Sequence, residues 1–216
     1  MQGNMTPPAD IQRESFRIIE RELGPHDLSP EAWLVVRRVI HSTGDFDYAH
    51  LLRFHPQAFA AAAAAIGGGE DILTDVEMVR MGIQGLARSR HGLEVRCHLN
   101  DPQTCLAAPA HGTTRSAAGI HRGLQHGPVG VCVIGNAPTA LRAMLEACDK
   151  SEGLRPRLIV GVPVGFVDAE ESKLALSQID TVPWITCSGR KGGSAVAAGI
   201  VNALLDWVSP GRSLKE

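Results

Sequence analysis

The sequence has no long apolar run, and its longest apolar stretches are broken well short of a membrane span. Its N-terminus has no basic segment followed by an apolar one, so no secretory leader is expected. Neither charge dominates: the formal net charge of -2 points to neither nucleic-acid nor membrane-surface binding. The five cysteines form no CxxC pair, and none stands at zinc-finger spacing from a histidine. Cys132 and Cys187 lie in strand-like runs, and Cys148 continues the stripe of Leu141, Met144 and Leu145. Buried, reduced cysteines in a cytoplasmic protein are therefore expected. The nine histidines are scattered. His50 with His55, or His121 with His126, would share a metal only through an accident of the fold, so no metal site is expected.

What is present is ordinary for a globular chain: 216 residues, 44% hydrophobic and 20% charged. That suits one domain over 1–216, with a helical part at 8–66 and an α/β part at 70–210. Met1 to Pro8 is polar and expected to fray, and Met5 is an alternative start. In the helical part, Ile11, Phe16, Ile19 and Leu23 make a core stripe. Ser29-Pro30-Glu31 then supplies an N-cap, a proline at the first helical position and an acid in the first turn. Trp33, Val36 and Ile40 form one face of that second helix, and His41 falls at its margin. A third helix begins near Pro56, runs through Phe59 and alanines 60–65, and stops at Gly67-Gly68-Gly69.

Beyond residue 70 the period changes. Five short apolar runs (71–74, 93–97, 129–134, 158–162 and 184–187) alternate with helical segments (76–90, 114–125, 137–149, 169–178 and 193–208). Strand-helix alternation predicts βαβ units and a doubly wound, flavodoxin-like, five-stranded parallel sheet, with the helical part as an N-terminal extension. The segment 100–114 reads as the longest irregular stretch, a surface loop.

In such sheets, ligands bind beyond the carboxyl ends of the strands. That rule selects the loops after the strands. Gly135-Asn136-Ala137-Pro138 offers Asn136 as an N-cap, and Asp168 is placed to cap the next helix. Ser188-Gly189-Arg190-Lys191-Gly192-Gly193-Ser194 opens the last helix with glycines and two cations. It reads either as an anion site or as a tight turn with solvated charges. It is not a Walker loop, because the order G-x-x-x-x-G-K-[ST] is absent. Arg115, in a first helical turn, opposes the helix dipole, so it either meets an anionic ligand or is a surface cation. Thr74-Asp75 with Glu77 reads by default as a helix cap. His41-Ser42-Thr43-Gly44-Asp45 ends a helix and turns; its histidine is either a proton donor or a partner of its own helix carbonyls.

Taken in order, six blocks resemble the precorrin-8X (cobalt-precorrin-8) methylmutase family over about residues 8–210. They are His41-Ser42-Thr43-Gly44-Asp45, Thr74-Asp75-Val76-Glu77-Met78-Val79, Thr114-Arg115-Ser116-Ala117-Ala118, Ile134-Gly135-Asn136-Ala137-Pro138-Thr139-Ala140-Leu141, Gly161 to Val167 with Glu171-Ser172-Lys173, and Gly189-Arg190-Lys191-Gly192-Gly193-Ser194. The resemblance implies a cofactor-free isomerase of corrin synthesis that moves a methyl group from C-11 to C-12 of a tetrapyrrole. It implies a homodimer with its site near the subunit interface. It also implies His41 as the catalytic histidine, Arg115 as a ring-binding arginine and Ser15 as a serine near the substrate. Further substrate contacts are expected from Thr43, Asp75, Asn136, Arg190, Lys191, Gly192 and Gly193. Two other classes remain open: a nucleotide- or phosphate-binding flavodoxin-like enzyme, and a tetrapyrrole carrier without turnover.

Overall fold

The computed structural model describes residues 8–209. The expected fraying of Met1 to Pro8 and the alternative start at Met5 lie outside the described residues, except at Pro8, where the first helix begins.

Two helices come first, α1 (Pro8–Leu23) and α2 (Pro30–Thr43). The short α3 (Tyr48–Leu51) leads directly into a strand, β1 (Leu52–Phe54). The expectation that 8–66 is wholly helical is therefore corrected. β1 pairs antiparallel with the last strand, Leu52 facing Cys187 and Phe54 facing Ile185. Three residues between helices leave almost no periodic signal, and only a partner from the far end of the chain makes them a strand. The alanine-rich α4 (Ala58–Gly67) follows, burying Ala58, Ala62, Ala65 and Ile66.

The expected βαβ alternation is present: β2 (Ile72–Thr74), α5 (Glu77–Leu86), β3 (Val95–Cys97), α7 (Arg115–Gln125), β4 (Val131–Ile134), α8 (Pro138–Lys150), β5 (Leu158–Gly161), α9 (Ala169–Ser177), β6 (Trp184–Cys187) and α10 (Ser194–Val208). α5 widens into a π-helical stretch at Ala87–His91. The expected loop at 100–114 is instead largely a helix, α6 (Pro102–Ala110). Pro102 at its first position fits any helix start, but its weakly amphipathic content hides it, and only Thr104 and Ala108 are buried.

The sheet order is β1-β6-β5-β4-β2-β3, parallel from β6 to β3. The parallel part is the expected flavodoxin-like order; the sheet has six strands because β1 adds an antiparallel edge. Strands β4, β5 and β6 are buried at every position, which is why they read as continuous apolar runs. One core joins the sheet to α2, α4, α5 and α10, and a second lies between the sheet and α7, α8 and α9. Ile11, expected in the core, is 53% exposed, whereas Ile19 of the same stripe is buried.

α5 and α10 cross closely because Gly82 has no side chain: a Cβ there would stand 2.8 Å from the Ala198 Cβ. Both atoms are fixed to helix backbones, so a larger residue must separate the helices. Gly82→Val should therefore lower stability by about 1–3 kcal/mol despite valine's better helix propensity. For a chain of this size that is a fall of several degrees in Tm, readable by calorimetry.

Candidate active site at the carboxyl edge of the sheet

α2 begins as its sequence demands. Ser29 accepts the Ala32 N–H at 3.2 Å, Pro30 fills the first turn and Glu31 complements the dipole. It ends on Gly44, whose positive φ of 67° allows its N–H to donate to the Ile40 carbonyl at 2.7 Å. Ser42 and Thr43 turn their hydroxyls back onto the Arg38 and Val39 carbonyls, each at 2.8 Å. The last turn is thus satisfied without His41. Among the described residues the His41 ring has no hydrogen-bond partner; it meets the Phe16 ring edge-on, with centroids 5.4 Å apart.

His41 faces a pocket of about 510 Å³. Ile11 and Gln12 of α1, Arg38, His41 and Ser42 of α2, and Ala195, Ala198, Gly199 and Asn202 of α10 line it. Gly199 lets the α2 end come close, since a Cβ there would lie 3.3 Å from the Ser42 Oγ. Partial burial, and then the nearby Arg38 guanidinium, hold the imidazole pKa below its ordinary value. A pocket of this size suits a small-molecule site.

The loop after β6 pairs its lysine with two acids at the protein surface. The Lys191 ammonium lies 2.6 Å from an Asp45 carboxylate oxygen and 2.7 Å from one of Asp47, on the turn that follows His41. Lys191 is thus an ion-paired cation whose side chain remains 43% exposed, and its neighbour Arg190 is exposed as well. The Arg190 guanidinium stacks over the exposed Phe166 ring, 5.5 Å from its centroid. The hydrogen bond from Lys191 draws the Asp45 carboxyl below its usual range. From beneath, the buried Lys173 ammonium donates to the Lys191 carbonyl at 2.5 Å, and the Cys187 thiol donates to it at 3.1 Å. Gly192 has no room for a side chain: with φ at 152°, a Cβ would stand 2.3 Å from the Val162 carbonyl oxygen. Gly193 also has positive φ, 117°.

Asp75 sits where the chain order reverses, between β2 and β4. It is 1% exposed and accepts the backbone N–H groups of Gly135 (3.1 Å), Asn136 (2.9 Å) and Ala137 (2.9 Å). Burial pushes its carboxyl above the usual range, while the three N–H bonds pull it back. The expectation of an N-terminal cap for its own helix is corrected: Asp75 fastens the neighbouring loop. The N-cap position of α8 is Ala137, not Asn136, and it has no side-chain cap; Asp75 holds the backbone just before the helix. Asn136 is exposed beside it. Asp168 holds the N-cap position of α9 as expected, but its carboxylate pairs with Arg142 at 2.5 and 2.9 Å and caps nothing.

The remaining expected residues do not all converge on His41. Arg115 is exposed at the start of α7, with no ion pair among the described residues. There Thr114 and Thr139 hydroxyls, 2.7 Å apart, join the openings of α7 and α8. Ser15 is half-buried on α1, one turn beyond Ile11 and Gln12, and is outside the pocket lining. Thr43 is spent locally, donating to Val39 and accepting the Asp45 N–H. Sequence reasoning missed the pocket residues Gln12, Arg38 and Asn202 and the buried Lys173. The acidic pair in Asp45-Phe46-Asp47 and the lysine in the glycine loop are complementary, but nothing local says that they meet.

Two expectations about ligating side chains also change. Cys97 is half-buried and Cys105 exposed, so only Cys132, Cys148 and Cys187 are the buried thiols expected. His98, Asp101 and His126 bring ligand atoms within 4.8 Å of one another, on the far edge of the sheet. The fold unites His126 with His98 rather than with His121. Asp101 there accepts from Arg122 at 2.9 Å and faces His98 Nδ1 at 2.8 Å, so its carboxylate is already committed.

These observations define an α/β protein of flavodoxin-like order with a histidine-bearing pocket where α2 and α10 meet, at the carboxyl edge of its sheet. A family model described as precorrin-8X methylmutase matches residues 10–207. Cobalt-precorrin-8 methylmutase of Synechocystis is 43% identical, over 90% of this chain and 94% of that protein. Precorrin-8X methylmutase of Pseudomonas aeruginosa is 42% identical, over 90% and 93%. The crystal structure of precorrin-8X methylmutase from Thermus thermophilus is 41% identical, covering 94% of this chain and 97% of that one with a TM-score of 0.85. The chain belongs to the precorrin-8X methylmutase family and is an isomerase of cobalamin biosynthesis. Among the described residues, no helix is long and apolar enough to cross a membrane.

Asp75→Ala should leave three backbone donors of the 135–137 loop without their acceptor. The expected loss is about 3 kcal/mol or more, a drop of roughly 6–12 °C in Tm for a chain of this size. Asp75→Asn, which keeps one carbonyl acceptor, should lose less. Equal melting of the wild-type and alanine proteins would show that the tie contributes nothing.

Proposed function

We propose that this enzyme moves a methyl group from C-11 to C-12 of precorrin-8X or cobalt-precorrin-8, giving hydrogenobyrinate or cobyrinate. The step is a 1,5-sigmatropic shift assisted by His41. The bond from the methyl carbon to C-11 breaks as the bond to C-12 forms, with no net gain or loss of electrons or atoms. Such a shift needs no nucleophile or redox group. It needs the macrocycle held in its reactive tautomer, with a proton delivered on or near ring C and returned afterwards.

The observation that carries this reading is the unclaimed His41 ring in the pocket, with Ser42 and Thr43 already satisfying the helix end. A depressed pKa keeps the free imidazole neutral near pH 7. A substrate bearing several acetate and propionate carboxylates raises it again, because anions nearby favour the imidazolium. Arg115, Arg190 and the N–H groups opening α7 and α8 are the proposed carboxylate anchors. Ser15, Thr43, Asn136, Gly192 and Gly193 lie on the elements that would border the ring; Asp75 and Lys191 shape those elements. The chain acts as one cytoplasmic domain and pairs with a second copy. Exposed Met78, Met81, Phe166 and Val167 are apolar surface that such pairing would cover. A carrier without turnover would share the binding residues, so conversion of substrate is the deciding measurement.

His41→Asn keeps polarity and approximate size but cannot transfer a proton near neutral pH. Turnover, followed by the visible spectrum, should fall by about 10²–10⁴-fold, with Tm and product affinity little changed. Near-normal turnover would end the proton-transfer role.

The second expectation concerns charge. In an NMR titration the free enzyme's His41 should titrate below the ordinary histidine value of about 6.5, and product should move it upward. Since folding disfavours the imidazolium, His41 costs stability only as pH falls through that ordinary value; above it, both folded and unfolded forms are neutral. A pKa unmoved by product would place the ligand's carboxylates away from His41.

A further inference from the structure

We propose that Lys191 is a positioning residue for His41 rather than an anchor for substrate. This rests on the reading of His41 given above.

The Lys191 backbone is fixed before its side chain acts. Lys173, 2% exposed on α9, donates to its carbonyl, and so does Cys187 at the end of β6. The next residue, Gly192, is pressed against the Val162 carbonyl, and its own carbonyl accepts from the Tyr48 hydroxyl at 3.5 Å. Lys191 therefore leaves the loop from a stationary base. Its ammonium meets both carboxylates of the turn that follows α2. One of them, Asp45, is also held by that turn, its carboxylate accepting the Asp47 N–H at 3.0 Å.

Two carboxylates on one ammonium are a pair of like charges once the ammonium is gone. Lys191 thus holds closed a turn that its own acids would open. The turn continues α2 directly beyond His41, and the loop carrying Lys191 continues directly into α10. α2 and α10 are the two walls that supply seven of the nine pocket residues. The Lys191 tie therefore sets the distance between the wall bearing His41 and the wall opposite. An anchor for substrate carboxylates would present a free ammonium; this one has two partners within 2.7 Å.

The test compares Lys191→Met and Lys191→Arg with the wild-type enzyme in kcat, KM, product affinity and the His41 ring resonances. Loss of positioning should lower kcat by about 10–100-fold in Lys191→Met, the scale expected for a displacement near 1 Å. Product affinity should stay within about threefold, the His41 resonances should shift, and arginine should restore part of kcat. A second arm adds Asp45→Asn and Asp47→Asn to Lys191→Met. Removing the like charges should recover part of the lost kcat. The proposal is overturned if Lys191→Met weakens product binding with kcat intact, since that is the signature of a substrate anchor. It is overturned equally if the His41 resonances and kcat stay unchanged. Failure of the His41 reading is separate: His41→Asn would keep turnover while Lys191→Met still shifted the His41 resonances.

Discussion

The carboxyl edge of the sheet depends on satisfying loop backbone that has left the ladder. Strands end there, and the first residues beyond them carry N–H and C=O groups turned inward, away from water. Two buried charges of opposite sign meet this need. Asp75 accepts three N–H groups of the loop after β4. Lys173 donates to a carbonyl of the loop after β6. Each charge is costly to bury alone and becomes tolerable because fixed dipoles of the right sign surround it. Both loops are consequently rigid without any regular structure of their own.

That rigidity reaches the pocket by a short route. The 135–137 loop opens α8, and the 188–193 loop opens α10. α10 contributes Ala195, Ala198, Gly199 and Asn202 to the wall opposite His41. Small residues on α10 and α5 permit the close approaches at Gly199 and Gly82, which bring α2 and α5 against the same helix. Among the described residues, His41 is left without a hydrogen bond at the end of a well-capped helix. A polar ring in that state is available to a ligand, whereas the hydroxyls of Ser42 and Thr43 beside it are consumed by the helix.

The two cations of the glycine loop have different partners. Lys191 pairs with Asp45 and Asp47, and Arg190 lies over Phe166. Which of the two reaches the acids depends on the path fixed by Gly192 and Lys173. Likewise, Arg115 and His41 lie on helices packed against opposite faces of the sheet, α7 in one core and α2 in the other. A ligand reaching both must lie across the edge.

The sequence by itself determined the elements whose signal is local. Five strands with short apolar runs, the five helices that alternate with them and the capped start of α2 all follow from period, composition and cap chemistry. The rule that parallel strands put ligands at their carboxyl ends likewise comes from the strand order and selects the candidate site. Tertiary structure decided whatever needed a distant partner. β1 is a strand only because β6 lies beside it, and α6 is a helix with too weak a stripe to announce itself. Asp75 looks like a local cap, yet it fastens a loop sixty residues away. Lys191 looks like an unpaired cation, yet it bridges to a turn 146 residues earlier. Charges and hydrogen bonds are satisfied by whatever lies nearest in space, and spacing along a chain carries that information only within an element.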